Sequence, residues 1–600
     1  MGNAQCLIQS LKKLKESSKE AVENLATFSD FKKYMHVPRG VEDELCNILE
    51  RSSNLDKRQL ILICGSVGDG KSHLISYLNQ KYPQLMRKFK VHNDATESFD
   101  PQKTSIDTLN EVLEDFSDNN LDNTSTSKLI LAINLGTLNN FIESVEYKHR
   151  FTNIIEYVDK KNILKNTFVD SDNSFDSESN FQFVNFSDYH MFTLTKDGPK
   201  SKYLTKIISK ITDASDDNPF FVSYRENCCE KCQCSLKCPV KHNYEFMQED
   251  GVIDKIVDYI IQAIVKHKLI ISTRSFLNFI YDAIVSSYFE NITSIDIFET
   301  IKNLDFKNYM KMITPNLIFD HRELSYIFEV LSFIDPVSGR VENIDSFLIK
   351  LNTTEDIHSV FYQYIELDNY KFLKDALIDK NIMYENLNSQ KEQYAVKEIV
   401  FKFFIRLYCF KHKYELFPLG DQIYTDYMKN LFYWNIQSIE KTKELHESIK
   451  EAIYKWNGDN NQEDGWINIF VGKNQLKYKV AQRLHLKANT SHFKKMGDSN
   501  EELEKFIPFI ELRFTEKDHN NVTSITIDFL LYKLLMSIRK GYRPNKNDKS
   551  NYVSFVEFVD RLLLLGGQNQ ELVFQEHSES NTKAYTLKYN DYDEFCFMER

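Results

Sequence analysis

The amino-acid sequence predicts an α/β protein with a parallel sheet, followed by a helical region and a C-terminal α+β domain. Short apolar runs alternate with helical stretches through the first 300 residues, which indicates a parallel sheet covered by helices on both faces. Apolar residues keep a helical spacing through most of 300–455, and after about residue 466 the period changes to two. A chain of 600 residues exceeds one ordinary core, so we expect several domains.

The sheet is predicted from four short apolar runs. The first, QLILICG at 59–65, ends in glycine, as a buried parallel strand does before a loop. The other strand candidates are 89–93, 129–135 and 181–186. Helices are predicted at 71–79, 103–116, 137–160, 252–267 and 274–288.

Four segments follow from this pattern. They are an N-terminal helical leader at 1–58, a sheet domain with a helical lid at 59–300, a helical domain at 301–460 and an α+β domain at 461–600. In the leader, the turn Val37–Gly40 separates two helical stretches. A Cys-rich insertion, 226–244, interrupts the sheet domain.

Composition narrows the class of protein. A hydrophobic content of 42% and a charged content of 27% are typical of soluble globular proteins. No stretch reaches eighteen uncharged apolar residues and no signal peptide is evident, so we expect no membrane association. The net charge of −12 argues against a protein that coats nucleic acid. Five closely spaced cysteines favour reduced thiols and a cytoplasmic location.

The segment 65–72 reads GSVGDGKS, the Gly-x4-Gly-Lys-Ser pattern of a phosphate-binding loop between a strand and a helix. Glycines let backbone amides wrap around phosphate oxygens, and the helix N-terminus adds partial positive charge. Lys71 is expected to reach the β and γ phosphates, and Ser72 to hold Mg²⁺. The sequence therefore predicts a P-loop NTPase fold that binds ATP through Gly65, Ser66, Val67, Gly68, Asp69, Gly70, Lys71, Ser72 and His73.

The carboxylate that would support hydrolysis is less evident. The third strand ends in Asn134, where an acidic residue normally helps to hold Mg²⁺ and to position water. Asp94 is the predicted substitute, with Glu97 and Asp188 as further candidates. Each of these carboxylates could instead cap a helix or face solvent.

Ser272-Thr273-Arg274 begins a helix directly after another helix. This arrangement resembles the lid and second sensor of AAA+ ATPases. The resemblance implies that Arg274 reaches the γ phosphate and that the Val37–Gly40 turn lines the adenine. A surface arginine at a helix start is the alternative. With this residue, the predicted catalytic set is Lys71, Asp94, Asn134 and Arg274.

The Cys-rich insertion has the spacing of a metal site. Cys228, Cys229, Cys232, Cys234 and Cys238 precede His242, with C-x2-C and C-x3-H spacings that suit tetrahedral coordination. We predict a structural Zn²⁺ held by Cys228, Cys232, Cys234 and Cys238. An iron–sulfur cluster and free thiols stay open as alternatives.

A basic segment stands out in this acidic chain. Between Gly465 and Gly497 there is no Asp or Glu. The basic residues there are Lys473, Lys477, Lys479, Arg483, Lys487, Lys494 and Lys495. Alternation predicts one strand at 477–487 with a basic face, which with the loop 540–543 could follow a nucleic-acid backbone. An acidic partner subunit or plain solvation would also explain such a face.

Several strings together resemble one protein family. They are YMHVPRGVEDEL, CGSVGDGKSHL, VHNDATESFDP, LAINLGTLNNF, FVNFSDY and ISTRSFLNFIYD. They are similar to the DNA phosphorothioation-dependent restriction protein DptF (DndF) family, over roughly residues 15–290. The resemblance implies an ATPase subunit that works with DptG-like and DptH-like partners against DNA that lacks the phosphorothioate mark. Asn134 fits the family pattern.

The expected function is thus that of an ATP-binding and ATP-hydrolysing subunit of an antiviral restriction complex that contacts DNA. A nucleotide-locked switch or scaffold, with little turnover and a possible homo-oligomeric state, is the alternative that Asn134 favours. A nuclease would need a metal-binding carboxylate cluster, which the sequence does not present, so DNA cleavage is expected in a partner.

Overall fold

A computed structural model gives the structure of the chain. The described residues are 6–20, 29–93, 104–121, 126–164, 175–228, 232–290, 292, 294–339, 342–367, 369–412, 420–458, 465–471, 478–493, 502–516, 521–565, 571–576, 583–589 and 594–599. The chain divides into two units, one of Met1–Thr193 with Lys200–Gly420 and one of Leu194–Pro199 with Asp421–Arg600. This division is coarser than the four predicted segments and does not test their boundaries.

The helices and strands fall into three successive stretches of the chain. The part up to residue 200 forms α1 Leu7–Glu20, α2 Asp30–Met35, α3 Gly40–Ser53, β1 Gln59–Cys64, α4 Lys71–Lys81, α5 Pro83–Met86, β2 Lys90–His92, α6 Ser105–Val112, β3 Lys128–Ile133, α7 Leu135–Ile142, α8 Thr152–Lys160, β4 Phe181–Asn185, β5 Tyr189–Thr195 and β6 Gly198–Lys200. The next part is helical where it is described and forms α9 Lys202–Thr212, α10 Pro219–Asn227, α11 Pro239–Gln248, α12 Val252–His267, α13 Thr273–Ile284, α14 Ser294–Lys302, α15 Phe306–Met312, α16 Asn316–Asp320, α17 Tyr326–Phe333, α18 Glu342–Thr353, α19 Ile357–Tyr362, α20 Lys371–Ile378, α21 Lys380–Met383 and α22 Gln390–Lys411. The last part forms α23 Gln422–Asn435, α24 Ile439–Lys455, β7 Trp466–Ile469, β8 Tyr478–Arg483, β9 Leu486–Ala488, β10 Glu502–Lys505, β11 Ile510–Glu516, β12 Val522–Ile527, α25 Phe529–Arg539, α26 Lys546–Asn551, α27 Val553–Leu565, β13 Glu571–Glu576, β14 Ala584–Tyr589 and β15 Phe595–Glu599.

The first unit contains a parallel sheet in the order β2-β3-β1-β4. Every residue of β1 is buried because apolar side chains point to both faces. Helices α3 and α4 cover one face, and α6, α7 and α8 cover the other. Each fully buried Leu or Ile contributes roughly 1.5–3 kcal/mol, so the sheet is a stiff base for the loops at its carboxyl edge.

The structure confirms a mixed α/β chain with a parallel sheet, a helical middle and antiparallel sheets towards the C-terminus. Two predicted elements change. The third strand ends at Ile133 rather than at residue 135, because Asn134 caps the following helix. The single helix predicted at 137–160 is two helices, α7 and α8.

A buried ionic cluster holds parts of the helical region of the first unit together. Arg406 is 1% exposed and its Nη2 lies 2.6 Å from both Asp320 Oδ1 and Asp335 Oδ2. Its Nη1 also donates to Asn316 Oδ1 at 2.8 Å. A buried guanidinium needs such complete pairing, since an unpaired charge there costs several kcal/mol.

In the second unit, one antiparallel sheet has the order β15-β14-β13-β8-β7 and another has the order β12-β11-β9. The single basic strand predicted at 477–487 is therefore wrong: β8 and β9 belong to different sheets. The sequence pattern does not reveal this change of sheet. Leu484, just after β8, and Leu486, at the start of β9, are both buried, so the two-residue period continues across the boundary. None of the helices in the described ranges has both the length and the apolar content to cross a membrane.

Candidate functional site

The segment between β1 and α4, which we call the glycine-rich loop (65–70), has a backbone that requires glycine. Gly68 and Gly70 have φ angles of +86° and +96°, in the left-handed region that residues with a Cβ rarely adopt. Gly70 is also the N-cap of α4. The chain can therefore curl tightly at the carboxyl end of β1 and present amides at the start of a helix.

Lys71 and Asp69 close the loop on itself. Lys71 Nζ donates to the carbonyl oxygens of Gly65 at 2.9 Å and Ser66 at 2.7 Å. Asp69 Oδ2 accepts from the Ser66 backbone N–H at 2.6 Å. The ammonium group of Lys71 is thus held over the loop by two backbone carbonyl oxygens.

The loop leaves no room for side chains at two glycines. A Cβ at Gly65 would lie 2.8 Å from Phe186 Cβ, and a Cβ at Gly68 would lie 3.0 Å from Ser272 Cβ and Oγ. Phe186 directly follows β4, and Ser272 precedes α13. The glycine-rich loop is therefore packed between the end of β4 and the start of α13.

The start of α13 is fixed at this place by its own hydrogen bonds. Ser272 and Ser275 form a reciprocal capping box, and Thr273 Oγ1 lies 2.8 Å from the Tyr203 hydroxyl. Arg274 is half-buried and makes no hydrogen bond or ion pair with any described residue. Arg274 thus stands two residues after Ser272, which packs on Gly68, and its predicted contact with the γ phosphate stays a prediction.

The Val37–Gly40 turn also meets the loop. Arg39 Nη1 donates to Asp69 O at 3.4 Å, and Arg39 Nη2 donates to Tyr189 O at 2.8 Å. Its guanidinium lies 5.0 Å from the centre of the Tyr203 ring, a cation–π distance. One arginine therefore joins the leader, the loop and α9.

A histidine pair, for which the sequence carries no signal, ties the leader to α4. His36 Nδ1 lies 3.1 Å from His73 Nε2, and His36 Nε2 lies 2.9 Å from Glu42 Oε2. The His36 ring stacks on Tyr77 at 3.6 Å, and Lys81 pairs with Glu42 at 3.2 Å. Burial, with smaller contributions from His36 and Lys32, lowers the pKa of His73 to about 4.

Asn134 stands at the end of β3, next to β1, one residue beyond the Cys64–Ile133 pair. Its Oδ1 accepts from the Thr137 backbone N–H at 2.7 Å, which caps α7. Its side-chain NH2 group donates to no acceptor among the described residues. Asn134 can therefore offer a hydrogen-bond donor at this edge, but it cannot take a proton.

The predicted carboxylates have different outcomes. Asp94 and Glu97 lie outside the described residues. Asp188 follows β4, accepts from Asn185 Nδ2 at 2.8 Å and acts electrostatically on Cys64 at the end of β1. Asp188 is thus the described candidate carboxylate near the glycine-rich loop.

The cysteines of the insertion connect two helices. Cys228 ends α10 and Cys238 is the N-cap of α11, and both are buried. Cys232 and Cys234 lie in the turn between, and Cys234 Sγ approaches the Phe298 carbonyl oxygen at 3.6 Å. Cys229 lies outside the described residues.

Cys6 joins this group, although it stands far from the insertion along the chain. Its side chain hydrogen-bonds with Cys228, and this contact lowers the pKa of Cys6 to about 6 although burial opposes it. The same hydrogen bond, together with burial, raises the pKa of the Cys228 thiol. In the sequence, Cys6 is distinguished only by its place directly before an amphipathic helix. This place does not predict a partner more than 200 residues away.

No group of three His, Cys, Asp or Glu side chains in the described part of the chain already stands close enough to hold a metal ion. His242, suggested by its C-x3-H spacing, instead faces Tyr309, whose hydroxyl lies 2.5 Å from His242 Nδ1. The predicted zinc set of Cys228, Cys232, Cys234 and Cys238 stays a prediction.

The basic residues of the second unit are only partly described. Lys473, Lys477, Lys494 and Lys495 lie outside the described residues. Arg483 on β8 and Lys487 on β9 are exposed, as is the loop 540–543.

No protein-family model, curated protein or solved structure matches this chain. Its function is therefore inferred from the glycine-rich loop, the residues around it and the charges and thiols described above.

Proposed function

We propose that the chain is a P-loop NTPase with an AAA+-like helical lid, which binds ATP and Mg²⁺ through residues 65–73. One observation carries the proposal: a parallel strand, a loop with three glycines at positive φ and a helix place Lys71 over the loop carbonyls. The fold of the sheet, buried on both faces, keeps this geometry fixed before a ligand arrives.

The roles follow from the groups present. Loop amides and the α4 N-terminus would hold the phosphates, and Lys71 would neutralise the β and γ phosphates. The Ser72 hydroxyl, which makes no hydrogen bond within the described residues, would bind Mg²⁺. Arg39 with Tyr203 supports an adenine position beside the leader turn.

Hydrolysis needs a group that positions water. Asn134 can donate a hydrogen bond to water or phosphate but cannot act as a base. We propose that Asp94 or Asp188 supplies the carboxylate and that Arg274 contacts the γ phosphate from the start of α13. The close packing of Ser272 on Gly68 supports the place of Arg274.

The resemblance to the DptF family supports a specific setting for this activity. We propose that ATP turnover serves a phosphorothioation-dependent restriction complex with DptG-like and DptH-like subunits. The exposed Arg483 and Lys487 would contact DNA within that complex.

A nucleotide-locked switch is the second candidate, and Asn134 in place of an acidic residue favours it. ATPase turnover of the full chain, alone and with DNA and both partner subunits, separates the two. Turnover stimulated by DNA and abolished by Lys71→Ala supports the motor, whereas tight ATP binding without turnover supports the switch. No ATP binding at all would refute both.

Two variant pairs sharpen this test. Asp188→Asn and Asp94→Asn, compared under saturating ATP, identify the carboxylate by the variant whose kcat falls while ATP binding stays. For DNA, the charge reversals Arg483→Glu and Lys487→Glu should weaken binding and flatten its salt dependence, whereas the exposed Lys533→Glu serves as a matched control. Unchanged DNA binding in the double reversal would remove the DNA contact from the proposal.

A further inference from the structure

Helix α27 and the end of β7 line a cavity of about 490 Å³ in the second unit. Its apolar wall consists of side chains from the sheet and from α27, namely Ile469, Leu572, Val556 and Leu563. Small-molecule sites usually have volumes of about 300–1,000 Å³, an apolar wall and a few polar groups. The cavity is therefore large enough for one flat organic group, and its polar residues indicate which group fits.

Lys549 brings a positive charge to the cavity without a carboxylate partner. It is half-buried on α26, and its Nζ donates to Asn457 Oδ1 at 3.2 Å. It makes no ion pair with any residue in the described ranges. Burial lowers the pKa of Lys549, and the nearby charge of Asp560 opposes this shift. Since an ammonium group has three donors and one is used here, an anion in the cavity would find both charge and hydrogen bonds.

Phe470 gives the same cavity an exposed aromatic ring. The ring is 69% exposed, and its centre lies 5.0 Å from Lys549 Nζ. The buried ring of Trp456 lies 6.0 Å from the same nitrogen. Sites for single-stranded nucleic acid combine these features, because bases stack on aromatic rings while cations contact the phosphates.

The basic loop 540–543 leads directly into the helix that carries Lys549. The Tyr542 hydroxyl donates to Asp548 Oδ2 at 2.7 Å, and Asn545 caps α26 through a reciprocal capping box with Asp548. These bonds fix the loop to the start of α26. Exposed cations occur along this segment at Lys540, Arg543 and Lys546. Lys549 is therefore the last cation of a basic segment, 540–549, rather than an isolated one.

Asp560 gives the cavity a hydrogen-bond acceptor. It is exposed on α27, lines the cavity and makes no ion pair within the described part of the chain. A carboxylate repels phosphate, but it accepts hydrogen bonds from the amino groups of cytosine and adenine, which thymine lacks. A cation and a carboxylate in one cavity thus fit a ligand that carries both a phosphate and an amino group.

We propose that this cavity binds one unpaired nucleotide of a single-stranded nucleic acid, with its base on Phe470 and a phosphate at Lys549. The amino group of the base faces Asp560, and neighbouring phosphates follow the basic segment 540–549. The inference goes beyond the DNA contact proposed at Arg483 and Lys487, because a duplex with every base paired could satisfy that contact. It rests on that proposal only for the choice of DNA as the first probe.

Fluorescence polarisation with the full-length chain, without ATP, tests the site. The probes are labelled single strands of about 12 nucleotides and a duplex of the same length. Phe470→Ala should weaken single-strand binding about tenfold and leave duplex binding unchanged, whereas Phe470→Trp should keep the affinity. The matched control is Phe595→Ala, an exposed phenylalanine on β15 outside the cavity, which should bind like the wild type.

The phosphate contact and the base contact have separate readouts. Lys549→Gln should reduce the slope of log affinity against log salt concentration by about 0.7, whereas the exposed Lys533→Gln on α25 should not. Oligo(dC) should bind about fivefold more tightly than oligo(dT), and Asp560→Ala should abolish this preference. DNA and RNA strands of one sequence, compared in the wild type, identify which strand the site prefers.

Three results would overturn the assignment. Single-strand binding that is equal in Phe470→Ala, Lys549→Gln and both controls removes the site, and duplex binding that still depends on Arg483 would then leave the earlier DNA contact intact. A wild-type chain that binds neither single strands nor duplex overturns both. Unchanged single-strand binding in Phe470→Ala, together with weaker self-association in sedimentation, would assign the cavity to a second copy of the chain.

Discussion

The glycine-rich loop and the thiol group around Cys6 are held in place by different means. The loop is shaped by its own backbone, with three glycines at positive φ between a buried strand and a helix. Cys6 directly precedes α1 and Cys228 ends α10, and packing between α1 and α10 brings them together. The first site is local in sequence, and the second is tertiary.

This difference predicts which substitutions should disrupt each site. A local site should lose its ligand through changes within a few residues, while distant packing changes should leave it intact. A tertiary site should respond to any change that loosens the helix interface, even one that touches no cysteine. Nucleotide affinity and the reactivity of Cys6 towards alkylation, measured on the same variants, therefore tell the two kinds of site apart.

The largest effect is expected at Lys71. Lys71→Ala removes the ammonium that would neutralise phosphate charge, and charge-assisted contacts of this kind contribute about 3 kcal/mol, roughly a 100-fold loss of ATP affinity. Calorimetric titration with ATP and Mg²⁺ measures it, with the exposed Lys160→Ala as the control. The reactivity of Cys6 towards alkylation should stay at the wild-type value. Equal ATP affinity in both variants would contradict the proposed phosphate role.

The next effect is a pH dependence at the base of the loop. An unfolded imidazole titrates near 6.5, whereas burial lowers the pKa of His73 to about 4. Below pH 6.5 the unfolded chain therefore binds a proton that the folded chain resists, and stability is lost as pH falls towards 4. The cost is about 2.5 kcal/mol at pH 4.5.

Chemical denaturation between pH 7 and 4.5 measures this cost for the wild type and for His73→Gln. The variant lacks the titrating group, so its free energy of unfolding should fall less steeply over that interval. Since groups that do not contact His73 titrate equally in both proteins, parallel slopes would show that His73 is protonated without penalty.

The two sites also differ in what sequence can predict. Eight consecutive residues, GSVGDGKS, contain the spacing, the glycines and the lysine of the loop, and the structure places them between a strand and a helix as expected. The parallel sheet was predictable because β1 and β3 each contain a run of five apolar residues, although β2 and β4 include polar residues. A local sequence pattern is sufficient for prediction where neighbouring residues determine the backbone geometry.

Tertiary features gave no such signal. The pairing of Cys6 with Cys228, the contact between His36 and His73, and the packing of Ser272 on Gly68 join residues 37–222 positions apart. The change of sheet after Arg483 could not be predicted for a related reason. Gln482, Leu484 and Leu486 are buried, so the alternation continues across the change. Such contacts depend on how helices and strands pack against each other. The spacing of apolar residues along the chain does not determine that packing.

A smaller effect separates backbone strain from packing inside the loop. Gly70→Ala meets nothing within 4 Å, so only its left-handed φ is penalised, by about 1 kcal/mol. Gly68→Ala has the same strain and also brings Cβ to 3.0 Å from Ser272, for a total of about 2 kcal/mol. Denaturant unfolding measures both. Gly68→Ala should be rescued in part by Ser272→Gly, and a lack of rescue would disprove that contact.

The smallest effect tests the helix interface that brings Cys6 to the insertion. Ser10 and Ser223 share a buried hydrogen bond, and a double-mutant cycle with Ser10→Ala and Ser223→Ala should give a coupling energy of about 0.5–1 kcal/mol. Both single variants should make Cys6 more reactive towards alkylation than in the wild type, because the interface positions Cys6 against Cys228. The exposed Ser491→Ala is a control for a hydroxyl deletion elsewhere. If the coupling is zero, α1 and α10 do not meet in this register, and the thiol pair at their ends loses its structural basis.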